Sequence, residues 1–298
     1  MNPIHLETLL TIVEEGSFEV AAAVLGISPS AVSQRIKSLE AATGRVLLRR
    51  TNPVTATDAG EIIVQAERRM ALLQAETDVA LGRRLARVPL SVAINSDSLA
   101  TWFRGVIDET ARRGEAALRI RIEDEARTLA LLRRGDVLGA VTREHTPVSG
   151  CESSFIGTMR YHAVACPRLA REFAAGEITW ETMPLVGYGP NDQTVNDAMR
   201  ERFIDSHVVR ARVSQIPSSE GYLEAVRCGL GWGLISKLQA RELLKAGQLV
   251  LLDDKPLDID LYWQRWRLES EVLEALTRDV LDAARALAPS KLGKARDS

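Results

Sequence analysis

Apolar positions in the first 60 residues repeat at helical spacing in three short blocks. Ile4, Leu6, Leu9, Leu10 and Val13 mark one helical face, which Gly16 closes. Ser17 stands where a second helix needs a cap, Phe18, Ala21, Ala22 and Leu25 supply its face, and Gly26-Ile27 forms a turn. Val32, Ile36 and Leu39 then recur at spacings of four and three, so they share a buried stripe and leave Ser30, Ser33, Gln34 and Lys37 on other faces. Ser28 precedes this stripe as a cap, and Pro29 takes the first helical position, where no amide donor is required. Small residues at Ala21, Ala22 and Ala23 let two helices cross closely. Helix, helix, tight turn, helix is the pattern of a helix-turn-helix, whose last helix presents short polar groups to base edges.

The pattern then changes twice. In 44–55, β-branched and apolar residues around Asn52-Pro53 predict a small hairpin wing, with Arg49, Arg50 and Thr51 near its tip, in reach of phosphates. From 57 to about 85, Ile62, Ile63, Ala66, Met70, Leu73, Ala80 and Leu81 form a seam along one helix capped by Thr57. About 29 residues at 1.5 Å each span roughly 43 Å, too long for a local brace. Its Ala66, Met70, Leu73, Thr77, Ala80 series alternates four and three, which suits pairing with another helix.

Beyond residue 88, short β-rich runs alternate with helical patterns. Strands are expected at 90–94, 118–122 and 138–141, with helices at 98–113 and 128–134. A second set places strands near 161–165, 185–188, 213–216 and 233–235 and helices near 192–203 and 219–228, before a closing strand and helix at 261–265 and 270–287. The order predicts an α/β domain with a largely parallel sheet, folded as two lobes around a cleft. The expected division is a DNA-binding domain at 1–60, a dimerising helix at 57–87 and a ligand domain at 88–298. Lobe one takes about 88–160 plus 266–290, and lobe two about 161–265.

Charge alters the picture locally. The formal net charge of −2 over 298 residues gives no general pull toward polyanions. Residues 1–60 carry five cations (Arg35, Lys37, Arg45, Arg49, Arg50) against six anions (Glu7, Glu14, Glu15, Glu19, Glu40, Asp58). DNA affinity must therefore rest on the cluster between 35 and 50, where Glu40 is the one anion. No apolar run approaches the roughly 20 residues of a membrane span, and no signal peptide opens the chain, so a cytoplasmic protein is expected. Cys151, Cys166 and Cys228 lack metal-ligand spacing, and His5, His145, His162 and His207 are scattered. With no phosphate loop or nucleophile elbow, neither an enzyme nor a cofactor is expected.

The cleft offers chemistry for a zwitterion with a second positive charge. Asn95, Ser96, Asp97 and Ser98 follow a strand and open a helix, where amides and hydroxyls suit a carboxylate and Asp97 suits an α-ammonium. Ser218, Ser219 and Glu220 precede a helix of the other lobe. Glu123, Asp124 and Glu125 end another strand, and Thr142 and Arg143 follow a third. A buried ammonium needs a carboxylate to offset its desolvation. Ser96, Ser98 and Ser219 read equally as helix caps, and the acidic run as a solvated turn. Trp263 and Trp266 read as packing.

Residues 1–60 resemble the winged helix-turn-helix of LysR-type transcriptional regulators, and the rest has the length and order of that family's effector domain. The segments 30–37, 95–103, 131–141 and 262–266 are similar to its lysine- and arginine-responsive branch, the ArgP/LysG group. The resemblance implies an N-terminal all-α winged helix-turn-helix with a long linker helix, followed by a two-lobed, periplasmic-binding-protein-like α/β effector domain. It implies L-lysine or L-arginine as effector, a double-stranded DNA operator, contact with RNA polymerase, and a homodimer that assembles as a dimer of dimers. Control of a basic amino acid exporter follows from the branch. The alternative is an architectural or replication-origin-binding protein that senses no metabolite. The expected DNA contacts are Ser28, Ser30, Ser33, Gln34, Lys37, Arg49, Arg50 and Thr51.

Overall fold

Capping side chains and left-handed glycines set the limits of the first three helices. The computed structural model describes all residues except 82–87, 115, 124, 190, 191, 203, 205–212, 288 and 290–298. Helix α1 (Pro3–Glu15) opens under the side chain of Asn2, which accepts from the Ile4 amide, and ends at Gly16 with φ of 69°. In α2 (Phe18–Leu25) the cap is Ser17, and in α3 (Pro29–Thr43) it is Ser28, whose hydroxyl accepts from the Ala31 amide. Leu9, Ile12, Ala21, Val32, Ile36 and Leu39 from the three helices meet in one core. A two-stranded wing follows, β1 (Leu48–Arg49) antiparallel to β2 (Thr55–Ala56).

Helix α4 (Asp58–Ala80) has 23 residues, about 35 Å at 1.5 Å per residue. It buries Val64 against the amino-terminal core and Leu72 against the carboxy-terminal one, and leaves Ile62, Met70 and Leu73 exposed. The expected continuation past 81 falls on residues outside the described set. Polar contacts fasten α4 to the following domain: Gln65 Nε2 donates to the Arg133 carbonyl at 2.7 Å, and Arg69 lies 4.1 Å from the Trp266 ring centroid. Arg68 pairs with Asp136 at 2.6 Å and approaches Glu14 of α1 at 3.9 Å.

The remaining elements are β3 (Val88–Ile94), α5 (Ser96–Ala100), α6 (Arg104–Arg113), β4 (Ala116–Ile122), α7 (Glu125–Arg133), β5 (Gly139–Thr142), β6 (Cys151–Ala165) and α8 (Pro167–Ala174). They continue as β7 (Leu185–Gly187), α9 (Gln193–Glu201), β8 (Val213–Gln215), α10 (Ser219–Arg227), β9 (Gly233–Ser236), α11 (Lys237–Lys245), β10 (Val250–Leu251), β11 (Leu257–Trp266) and α12 (Glu271–Ala283). Among the described residues, no helix is long and apolar enough to cross a membrane.

The main sheet runs β10-β6-β11-β5-β3-β4, with β9 also paired to β6. The expectation of a largely parallel sheet is corrected. Among the described residues, only β3 with β4 and β3 with β5 are parallel in it; β11 runs antiparallel to β5 and β6, as do β9 and β10 to β6. The reason is topological: β6 leaves lobe one and β11 returns to it, so the two pair in opposite directions, from Leu257 opposite Tyr161 to Trp266 opposite Cys151. The strands expected at 161–165 and 261–265 are thus halves of longer ones. The polar run Glu152-Ser153-Ser154 hides the first half of β6 from a hydrophobic scan. The chain changes lobes inside both strands, since the late half of β6 pairs with β9 and β10 while the late half of β11 pairs with β5.

The expected helix at 98–113 is broken into α5 and α6. The Ser98 carbonyl accepts from both Thr101 and Phe103, and the turn it makes drives Trp102 and Phe103 into the core. Trp263 is 1% exposed and donates from Nε1 to Thr277 Oγ1 at 3.3 Å; Trp266 donates to the Leu132 carbonyl at 3.1 Å. Both are packing residues.

A side chain on Gly139 would collide with the Trp263 ring, because β5 and β11 pair there across the core. Gly139→Ala should lower unfolding free energy by about 1–3 kcal/mol or more, as overpacking does. Urea denaturation measures it, and an unchanged midpoint would contradict this packing.

Candidate functional site

A cavity of about 430 Å³ lies between the strand ends of lobe one and helices α9 and α10 of lobe two. Lobe one contributes Asn95, Ser96 and Asp97 after β3, Glu123 after β4 and Arg143 after β5. Tyr161, Ile259 and Leu261 of the crossing strands line its back, and Tyr188, Asp192, Thr194 and Tyr222 come from lobe two. Ligand groups at the carboxyl ends of strands are the usual arrangement of an open α/β sheet.

Asp97 is the centre of the polar contacts. Tyr161 donates to its Oδ2 and Ser219 to its Oδ1, each at 3.0 Å. Gln239 Nε2 in turn donates to Ser219 Oγ at 2.8 Å, so a hydrogen-bonded chain runs from lobe one into α11 of lobe two. Exclusion of water raises the Asp97 pKa above 3.8, against the two hydroxyl bonds that lower it, and Asp192 raises it further. Asp192 caps α9, accepting from the amides of Val195 at 3.1 Å and Tyr188 at 2.9 Å. A second bridge crosses the cleft where Arg143 meets Asp197 Oδ2 at 3.0 Å and Thr194 Oγ1 at 2.7 Å.

Of the cleft residues expected from sequence, Asn95, Ser96, Asp97 and Glu123 line the cavity. Arg143, also expected, lines it as well; the remaining candidates do not, for separate reasons. Ser98 is buried beneath the cavity floor, with its amide bonded to Asn95 Oδ1 at 2.8 Å. Thr142 is still inside β5, and its hydroxyl accepts from the Glu144 amide at 3.1 Å. Ser218 is the exposed cap of α10. Ser219 stands behind Asp97, and Glu220 lies outside, 3.7 Å from Arg104. Asp124 is outside the described residues. The expected helix-dipole contribution at residue 95 is also reduced, because α5 has only five residues. Among the described residues, the lining cation is Arg143. Sequence reading missed Tyr161, Tyr188, Asp192, Thr194 and Tyr222; Asp192 alone carried a signal, as a cap before a helix.

At the other end of the molecule, α3 exposes Ser28, Ser30, Gln34 and Lys37 on one side, with Ser33 half-buried among them. Ser28 Oγ lies 2.9 Å from Ser30 Oγ. On the wing, Arg50 and Thr51 are exposed, and Arg49 pairs with Asp58 at 3.2 Å. Arg35 leaves the expected basic cluster: its guanidinium turns inward and donates to Thr8 Oγ1 at 3.2 Å.

The family described as bacterial regulatory helix-turn-helix protein, lysR family, matches residues 4–61, and the LysR substrate binding domain matches residues 72–287. The chain belongs to the LysR family. It is 58% identical to the lysine export transcriptional regulatory protein LysG of Corynebacterium efficiens over 96% of this chain and 99% of that one. Full-length LysG of Corynebacterium glutamicum, solved with bound effector Arg, matches with a TM-score of 0.78 and 56% identity, covering 97% of this chain and 100% of that one. ArgP of Mycobacterium tuberculosis matches with a TM-score of 0.82 and 37% identity, over 96% and 98%.

The raised pKa of Asp97 gives a signed stability effect. Its contribution is fully present below 3.8, its ordinary value, and is lost as pH rises through the higher folded value. Without added effector, the Asp97→Asn variant should therefore show a smaller fall in unfolding free energy across that window than the unaltered protein. Urea titrations at a series of pH values read this, and parallel curves for the two proteins would remove Asp97 as the cause.

Proposed function

We propose that this chain is a DNA-binding transcriptional regulator that senses a basic amino acid, arginine or lysine, and controls a gene for basic amino acid export. The observation that carries this reading is the charge of the cavity. Among the described residues, three carboxylates, Asp97, Glu123 and Asp192, line it together with one guanidinium, Arg143. That set complements a molecule with two cationic groups and one carboxylate, and a neutral or acidic amino acid would offset fewer of its charges. The bound Arg of the 56% identical Corynebacterium glutamicum relative supports the same choice. The protein acts by binding rather than by catalysis, in the cytoplasm.

Residues 1–60 serve as the DNA-binding domain, 57–87 as the dimerising helix and 88–298 as the effector domain. Exposed Ile62, Met70 and Leu73 on α4 supply an apolar seam for a second copy, and the paired chains place two copies of α3 on DNA half-sites. Ser28, Ser30, Ser33, Gln34 and Lys37 face the major groove, with Arg49, Arg50 and Thr51 on the flanking backbone. Effector contacts in both lobes shift the balance between lobe arrangements, and α4 carries the difference to the DNA-binding domain. The size of that shift is limited by how much better the effector binds one arrangement than the other. The consequence is a changed fit of a dimer of dimers to its operator and to RNA polymerase.

Two measurements test this. Calorimetric titration should show binding of arginine or lysine and none of neutral amino acids of like length; equal binding of the neutral ones would refute the charge argument. In gel-shift titrations of the intergenic DNA beside its own gene, Gln34→Ala should weaken specific binding by roughly 1–3 kcal/mol. Arg50→Ala should weaken all sequences alike and reduce the salt slope by about 1. Equal losses on specific and random DNA for Gln34→Ala would remove that residue from base reading.

A further inference from the structure

The two crossing strands have a second face. Thr158 and Arg160 of β6 stand opposite Asp260 and Asp258 of β11 and bond to them, Thr158 to Asp260 at 2.5 Å and Arg160 to Asp258 at 2.7 and 2.9 Å. Side chains alternate along a strand, so this set lies on the side of the joint away from Tyr161, Ile259 and Leu261, which line the cleft. A separate cavity of about 260 Å³ opens on that back side. Its walls include Thr158 and Arg160 of the joint, Lys237, Leu238 and Arg241 of α11 in lobe two, and Leu287 beyond α12. Among the described residues, the lining holds three cations and no carboxylate, in a chain whose formal net charge is −2.

The nearby carboxylates do not cancel this charge. Asp258 is engaged with Arg160, and Glu242 meets Arg241 at 2.9 Å where both side chains are about two-thirds exposed, so that pair holds weakly. Lys237 has no ion-pair partner among the described residues. His162, two residues beyond Arg160 on the same face, registers the field. Exclusion of water holds its pKa below 6.5, and Arg160 and Lys237 lower it further, outweighing Asp258 and Asp253.

We propose that this cavity is a second ligand site, for a small oxyanion with two or more negative charges, phosphate or carboxylate, held by Lys237 and Arg241 with Arg160 behind them. Lys237 and Arg241 are four apart on one face of α11, so both reach one ligand. Gln239, midway between them, faces the other way and donates to Ser219, which donates to Asp97 in the cleft. One short helix thus carries the cations of the back cavity and the lobe two end of the polar chain in front. An anion that draws α11 toward the joint bears on both, so each ligand changes the other's affinity by the same factor.

The test uses the full chain at constant ionic strength, with inorganic phosphate, citrate and acetate as probes. Calorimetry should show phosphate or citrate bound at one site, and acetate about 10-fold weaker or less; whichever of the two binds tighter names the head group. Lys237→Gln and Arg241→Gln should each weaken that binding by about 10-fold, the size of a charge-assisted contact. Both side chains are exposed, so neither change threatens the fold. Arg112→Gln, at a cation of like exposure on α6 of lobe one, should leave the affinity within about twofold. Saturating anion should change arginine affinity by about 5-fold or more, and the change should vanish when Lys237→Gln and Arg241→Gln are combined. Failure of both phosphate and citrate to bind overturns the proposal. So does a loss in Arg112→Gln as large as in Lys237→Gln, which would mean general surface charge, or an arginine affinity indifferent to the anion, which would disconnect the two cavities. Only the arginine readout rests on the basic amino acid reading: a chain that binds phosphate or citrate through Lys237 and Arg241 but no amino acid sinks that reading and keeps the site.

Discussion

The antiparallel pairing of β6 with β11 is the constraint on which the rest of the effector domain depends. These strands carry the chain out of lobe one and back, and their register holds from Leu257 opposite Tyr161 to Trp266 opposite Cys151, with one irregularity between Leu261 and Tyr262. At that break the partners change, from lobe two strands on one side to β5 on the other. A cleft forms there because two sheets' worth of strand ends meet at a joint of only two strands. Tyr161, Ile259 and Leu261 lie on the joint and line the cavity, so a ligand that fills it touches the joint as well as both lobes.

The polar contacts across the cleft are arranged around charges taken from water. Asp97 is held by one hydroxyl from the crossing strand and one from lobe two, and still has a raised pKa. Two hydroxyl donors do not repay the lost hydration of a carboxylate, whereas an ammonium ion does far better. A cation beside Asp97 would offset that lost hydration, and the carboxylate is already linked to the Ser219–Gln239 chain in lobe two.

Helix α4 is tied to lobe one and to the amino-terminal domain at once. Arg68 is largely buried, pairs with Asp136 of lobe one and approaches Glu14 of α1. Desolvation and the nearby Asp136 raise the pKa of Glu61 on the same helix, so the junction is a compact set of opposed charges with little access to water. Removing one partner of such a pair leaves the other buried and costs about 3–5 kcal/mol, a strong reason for α4 and lobe one to move as a unit.

Local rules were enough for the amino-terminal domain. Asn2, Ser17 and Ser28 cap helices, Gly16, Gly26 and Gly44 end them, and Val32, Ile36 and Leu39 share one buried face, because each depends on neighbours within four residues. The alternation of strands and helices after residue 88 was legible for the same reason. What the sequence left open depends on partners far along the chain. The first half of β6 is polar and is a strand only because β11, about a hundred residues later, supplies its ladder. The break at Thr101 follows from burial of Trp102 and Phe103, not from any local breaker. In the cleft, residue type named Asn95, Ser96, Asp97 and Glu123, but Ser98, Thr142, Ser218 and Glu220 have the same chemistry and point elsewhere. Sequence by itself determined which elements form and which chemistry is available. Tertiary structure decided which of those side chains share one cavity, since that follows from the packing of two lobes on a two-stranded joint and is written in no local pattern.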